Sequence, residues 1–280
     1  MRYPSAAMLY DLHSHTRCSD GSLEPRELLA RAVDKGVDVL AITDHDTLDA
    51  YQGLVRLEGR PELVVGIEFS TQWEATGIHV LGLDVDPGSE AIHAGVRYQT
   101  HARLRRARRI GEILGKKGVP DAFAGASALA RGSYIGRPHF ARHLVNVGKA
   151  RSIEDAFRRF VGDGKAGDVK QHWADLPQIV QWIRDANGIP VLAHPLKYKL
   201  TRTRLKRLLA AFVAAGGQGI EVISGQQNPQ QTASLGRLCK ELNLLASCGS
   251  DFHAPDVRWA ELGAFAPLPA GVTPVWERFR

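Results

Sequence analysis

VDVLAITDHD, residues 37–46, joins a largely apolar run to two acids and a histidine. A short apolar run of this kind reads as a strand buried on both faces, the habit of parallel sheets. Its charged tail then falls at the strand's C-terminal end, where parallel α/β folds gather their active sites. Upstream, Pro25 starts a helix with Leu28, Leu29, Ala32 and Val33 on one face, and Gly36 stops it. MLYDLHSH (8–15) reads as a strand before that helix. Downstream, a short helix is expected over Leu48–Leu57, then strands ELVVGIEFS (62–70) and IHVLGLDV (78–85). The alternation resumes late in the chain, with helices over 175–187, 201–215 and 229–242 and strands over 189–194, 219–224 and 244–251. Such alternation predicts βα units on a parallel sheet.

Between about 90 and 170 the pattern is helical throughout, with breaks at Gly118–Pro120, Gly132, Gly148 and Gly162–Gly167. Residues 97–170 hold twelve arginines and five lysines against six acids, a net of +11; the whole chain carries +6, so the remainder sums to −5. This shift predicts a basic helical insertion, 96–169, that caps the active site of a discontinuous α/β domain, 8–95 and 170–270. A solvated helix face explains most charge runs. Guanidinium groups also match phosphate oxygens in bidentate geometry, so a surface for phosphates fits equally.

The 280 residues suffice for one large domain or two ordinary ones. Charged residues at 24% and hydrophobic ones at 44% exclude a wholly disordered chain. No apolar run approaches the roughly 20 residues of a membrane helix. The first residues, MRYPSAAMLYDLHSHT, lack a signal-peptide core, and Met8 reads as a natural start after a dispensable extension. Three cysteines make no disulfide framework, which points to a reducing cytoplasm.

Nine residues able to bind metal fall at or beside predicted strand ends: His13, His15, Asp20, His45, Glu68, His79, His194, Asp251 and His253. His13 and His15 are two apart on a strand, so both imidazoles project to one face. A lone strand-end histidine is usually structural, but nine such residues together point to a metal site. Their mixed nitrogen and oxygen chemistry, without cysteine, suits manganese, zinc or iron in a reactive site rather than a structural zinc knot.

Taken together, HSHTRCSDG, ITDHD, GIEFS, GIHVLG, the AHP turn and GSDFH resemble the PHP (polymerase and histidinol phosphatase) family of the amidohydrolase superfamily. The resemblance covers residues 8–95 and 170–255. It implies a distorted, TIM-like (β/α)7 barrel with three divalent ions, manganese foremost. By the family pattern, His13, His15, Glu68 and Asp251 hold one ion. Glu68, bridging, holds the second with His79 and His194. Asp20, His45 and His253 hold the third. The implied chemistry is phosphoester hydrolysis, since clustered divalent ions lower the pKa of water to generate hydroxide and neutralise phosphoryl oxygens.

Specificity is expected in the insertion. In SYIGRPHFARHL (133–144), Pro138 fits the first turn of a helix, placing Arg137 and His139 where a phosphate can dock. A capping turn with a solvated Arg137 fits the same spacing. Arg103 and Arg106 flank an inward stripe of Leu104, Ala107, Gly111 and Leu114, so they can turn toward a cleft. Lys170 is a further candidate contact. The GRPHFA-like segment resembles family members that remove the 3′-phosphate from 3′,5′-bisphosphonucleosides, and also those that degrade short 5′-phosphorylated RNA from the 5′ end. The first is the expectation, because an RNA groove wants aromatic platforms among its basic residues and the aromatics of 97–170 sit mostly at core spacing. Histidinol phosphate ranks third and a non-catalytic scaffold last. A small nucleotide or a short RNA is thus the expected partner, with no membrane and no obligate protein partner.

Overall fold

A computed structural model describes residues 8–54, 61–130, 134–169 and 173–280. The extension 1–7, the end of the helix expected over Leu48–Leu57, and Lys170 lie outside the described residues. In order along the chain come β1 (Tyr10–Asp11), α1 (Pro25–Asp34), β2 (Val39–Ile42), β3 (Glu62–Trp73) and β4 (Thr76–Leu83). There follow α2 (Glu90–Lys116), α3 (Ala122–Leu129), α4 (Arg137–Asn146) and α5 (Ile153–Ala156), which runs on as a π turn to Val161. The alternation then resumes with α6 (Leu176–Asp185), β5 (Ile189–Leu192), α7 (Arg202–Ala214), β6 (Gly219–Ser224), α8 (Pro229–Glu241), β7 (Leu245–Gly249) and β8 (Thr273–Pro274). Of the expected helix at 48–57, the described part holds a 3-10 turn, Asp49–Tyr51.

The eight strands form one curled sheet in sequence order. It is parallel except at β4, which runs antiparallel to both β3 and β5. The expectation of parallel βα units alone is corrected here. Only Glu74 and Ala75 separate the Trp73–Thr76 pair, and a parallel return needs a crossover of a dozen residues or more. The expected strand 8–15 is regular only over Tyr10–Asp11. Beyond it the chain bonds to two sides: Thr43 N–H donates to Ser14 O (2.8 Å), while Leu12 N–H donates to Cys248 O (3.0 Å) and Asp251 N–H to His13 O (2.9 Å).

The continuous apolar reading of β2 follows from its two buried faces. Leu40 and Ile42 pack under the helices with Leu28 and Ala32, whereas Val39 and Ala41 face inward with Leu12, Leu81 and Val191. A separate cluster of Ala107, Ile110, Leu114, Phe140 and Leu144 lies within the helical stretch. The helix α2 is continuous across position 96, with Ile92 in the main core and Ile110 in the second. Among the described residues, no helix is long and apolar enough to cross a membrane.

Candidate metal centre

All nine singled-out His, Asp and Glu residues meet at one end of the sheet. Their ligand-capable atoms lie within 4.8 Å of one another in four overlapping groups: His15, Asp20, His45 and His253; His13, His15 and Asp251; His13, Glu68 and His194; and His45, Glu68 and His79. The expected trio of Glu68, His79 and His194 is equally close, since Glu68 Oε1 lies 2.9 Å from His79 Nδ1 and 3.0 Å from His194 Nε2.

The chain builds this convergence locally. His13 and His15 alternate on extended backbone, and their Nε2 atoms come within 3.1 Å. At position 249 a Cβ would sit 2.4 Å from His13 Cβ, so glycine there lets β7 run close behind the histidine. The loop carrying Asp20 is tied to Asp44, which accepts from Thr16 N–H (2.7 Å), Thr16 Oγ1 (2.5 Å) and Ser19 Oγ (2.5 Å). Two of the nine lie away from C-terminal strand ends, His79 as its place at a strand opening implied and Glu68 against expectation. Glu68 lies inside β3, which continues to Trp73, and His79 lies near the start of β4. The reversal of β4 brings that start to the same edge of the sheet as Glu68.

The donor set fits divalent cations. Glu68 Oε2 faces His45 Nδ1 at 3.0 Å, His15 Nε2 at 3.3 Å and His13 Nε2 at 3.4 Å. Yet Glu68 Oε2, His15 Nδ1, His45 Nδ1 and His194 Nδ1 are buried with no well-formed hydrogen bond among the described residues. Lone pairs converge here on a space that a cation satisfies better than protons do. Burial opposes charge on Asp20, Glu68 and Asp251, but the surrounding histidines hold all three well below the usual carboxylate range. Burial, with His253 and His45 alongside, drives His15 down to about 3. Burial also works against the His253 imidazolium, but Asp20 and Asp251 raise it to about 9.

A cavity of about 500 Å³ opens from this cluster, lined by Asp20, His45, His79 and His194 and also by Arg103, Arg106 and Arg137. Arg103 bonds Asp46 Oδ2 through Nε (2.6 Å) and Ser70 Oγ through Nη2 (2.9 Å). Arg106 donates through Nε to Val169 O (2.6 Å). Burial, then Arg137 and Arg103 beside it, lowers its guanidinium to about 10. Arg137 bonds Asp163 at the rim (2.9 Å). His139 Nδ1 accepts from Gly136 N–H (3.1 Å) at the start of α4, and the residue lines a smaller cavity of about 50 Å³ beside Asp20.

Sequence reasoning missed four neighbours of the site. Glu221 stands in the otherwise apolar strand GIEVIS and reaches His13 and His194. That lone acid in a buried strand was a readable signal. Lys197, in the turn after His194, touches Asp251. Trp173 faces Arg103 and Arg106, and Tyr134 packs on His45. Nothing in the local spacing announced these three.

Comparison with known proteins agrees with this geometry. Residues 11–119 match the PHP domain. A 5′-3′ exoribonuclease of Haemophilus influenzae is 43% identical over 272 residues, covering 96% of this chain and 98% of that protein. A 3′,5′-nucleoside bisphosphate phosphatase of Chromobacterium violaceum is 38% identical, covering 95% of each. A solved amidohydrolase structure from Chromobacterium violaceum, with bound sulfate and no metal, superposes with a TM-score of 0.86 at 37% identity, over 96% of this chain and 95% of that one. Both named relatives hydrolyse phosphate esters, and this chain is an enzyme of the same kind, a metal-dependent phosphoesterase. The near full-length match to such relatives makes the chain a member of the PHP domain family.

Proposed function

We propose that this enzyme hydrolyses the phosphoester on the 3′ side of a 5′-phosphorylated nucleotide, with a 3′,5′-bisphosphonucleoside as substrate and phosphate as product. One observation carries the reading: a single cavity is lined both by arginines and by members of the histidine and carboxylate cluster. Its volume falls in the range of small-molecule sites. A bisphosphate has two anionic ends for two such sets of groups.

In this reading His13, His15, Glu68 and Asp251 hold one divalent ion, Glu68, His79 and His194 a second, and Asp20, His45 and His253 a third. When bound, the ions, manganese foremost, supply Lewis acidity toward the phosphoryl oxygens and an activated water. The chain's own residues do the rest. Arg106 and Arg137 hold the remote 5′-phosphate, and its binding orients the reacting end. Arg103, already paired with Asp46, adds fixed positive charge to the same cavity lining. That charge opposes the amino-imidazole cation of histidinol phosphate. The strands form the distorted barrel of the family, residues 8–95 and 170–270, and 96–169 is its cap. The separate apolar cluster from Ala107 to Val161 supports that division. Three unpaired cysteines support a cytoplasmic location.

A second reading, removal of nucleotides from the 5′ end of short RNA, breaks the ester at the same 3′ oxygen. Trp173 favours it, because an aromatic face beside arginines is what stacked bases use. The 43% identity to an exoribonuclease favours it too. Turnover of 3′,5′-bisphosphoadenosine against a 5′-phosphorylated five-nucleotide RNA separates the two. Faster phosphate release from the bisphosphate supports the first reading, and faster RNA turnover replaces it with the second.

A further inference from the structure

Tyr134 belongs to the helical stretch, yet it is buried against the metal cluster. Its ring lies parallel to the His45 imidazole, with centroids 5.8 Å apart and planes 7° apart. Its hydroxyl donates to Asp20 Oδ2 at 3.3 Å. On the ring, the Arg103 guanidinium sits 4.0 Å from the centroid. That guanidinium is itself fixed by Asp46 and Ser70, and Gln99 in turn donates to Asp46 Oδ1 (3.0 Å). Two residues on, Gly136 leaves the room this ring needs. A Cβ there would lie 2.7 Å from the Tyr134 hydroxyl and 2.8 Å from the ring edge.

We propose that Tyr134 is a positioning residue for the corner formed by Asp20, His45 and His253, so that the insertion builds part of the metal centre as well as the arginine lining of the cavity. This rests on the metal reading above. A ligand carboxylate with one oxygen held by an outer donor keeps the other aimed, and loss of such donors weakens metal binding. Asp20 is held in this way: Oδ2 takes the Tyr134 hydroxyl and lies 3.7 Å from His45 Nε2, while Oδ1 takes the Ser19 hydroxyl at 3.4 Å and lies 3.5 Å from His253 Nε2 and 3.9 Å from His15 Nδ1. The parallel ring limits how far His45 can swing. Arg103 packs on the same ring, and so links the arginines of the cavity to the cluster through one side chain.

The test is manganese binding, measured by equilibrium dialysis on wild type, Tyr134→Phe and Gly136→Ala, with melting of the metal-free proteins alongside. Tyr134→Phe removes only the hydroxyl, and Gly136→Ala displaces the ring. The expected result is that one class of manganese weakens by roughly tenfold or more in both variants. The remaining manganese binds as in wild type, and the metal-free Tyr134→Phe protein melts as wild type does. Unchanged affinity in Tyr134→Phe overturns the proposal. Equal weakening of every ion, together with a lower metal-free melting temperature, also overturns it, because that pattern marks a purely structural role. If wild type binds no manganese, zinc or iron, the metal reading itself has failed.

Discussion

Glu221 Oε1 and His13 Nδ1 lie 2.9 Å apart, with both side chains fully buried. The second oxygen of the same carboxylate accepts from His194 N–H at 2.5 Å. One acid in the middle of β6 therefore orients the His13 ring and holds the His194 backbone, just beyond the ends of β1 and β5. With Nδ1 engaged, His13 presents Nε2 to the cluster, the arrangement in which a carboxylate fixes the tautomer of a metal-binding imidazole. Burial alone would lower the His13 imidazolium, yet Glu221, Asp251 and Glu68 raise it well above its ordinary range.

Glu221→Gln keeps the shape of the side chain and removes its charge. Metal affinity is expected to fall by about ten- to a hundredfold, as it does when outer partners of ligand histidines are lost. Dialysis against graded manganese measures it. Wild-type affinity in the variant would leave Glu221 a core residue and nothing more.

Arg106 is expected to matter more than Arg137 for the remote phosphate. Arg137 is already paired with Asp163 at the rim, whereas Arg106 is buried and crowded by its own kind. An anion relieves that crowding. Arg106→Ala should cost about 2–3 kcal/mol, roughly thirty- to a hundredfold in kcat/KM, on the bisphosphate. The loss on p-nitrophenyl phosphate, which has no second phosphate, should be far smaller. Equal losses on both would assign Arg106 to the reacting end or to folding.

His253 sets a pH dependence for metal loading. Its imidazolium, raised to about 9, keeps its proton through neutrality in the metal-free protein. On the proposed ligand set a metal displaces that proton, so manganese affinity is expected to rise with pH through about 9. In the metal-free protein the same raised value stabilises the fold below about pH 6.5, and this contribution is lost as pH rises through about 9. Manganese titrations across this window check the slope. A flat profile contradicts it.

The cluster was legible in the sequence because metal-binding residue types are rare in apolar strands, and strand ends converge whenever the strands share a sheet. His13, His15, His45 and Asp251 followed from that logic. His79 reads as opening its strand, with no account of how a strand beginning joins the C-terminal ends of the others; the antiparallel β4 brings it to that edge. The two-residue turn at Glu74–Ala75 carried the missing signal. Arg103 and Arg106 came out of the helical period of α2 as neighbours of its inward face; both are themselves buried on that face and both line the cavity. Tyr134, Trp173 and Lys197 were beyond reach. Their roles depend on how the helical stretch sits against the sheet, a long-range relation with no local pattern.

The most direct test of the central claim identifies the product of 3′,5′-bisphosphoadenosine. Metal-replete protein and substrate are followed by phosphorus NMR until turnover is complete. The expected products are 5′-AMP and inorganic phosphate, with no activity after chelation, since the proposal places the 5′-phosphate on the cavity's arginines and the 3′-phosphate at the histidine cluster. Release of 3′-AMP, or equal cleavage at both ends, would contradict it.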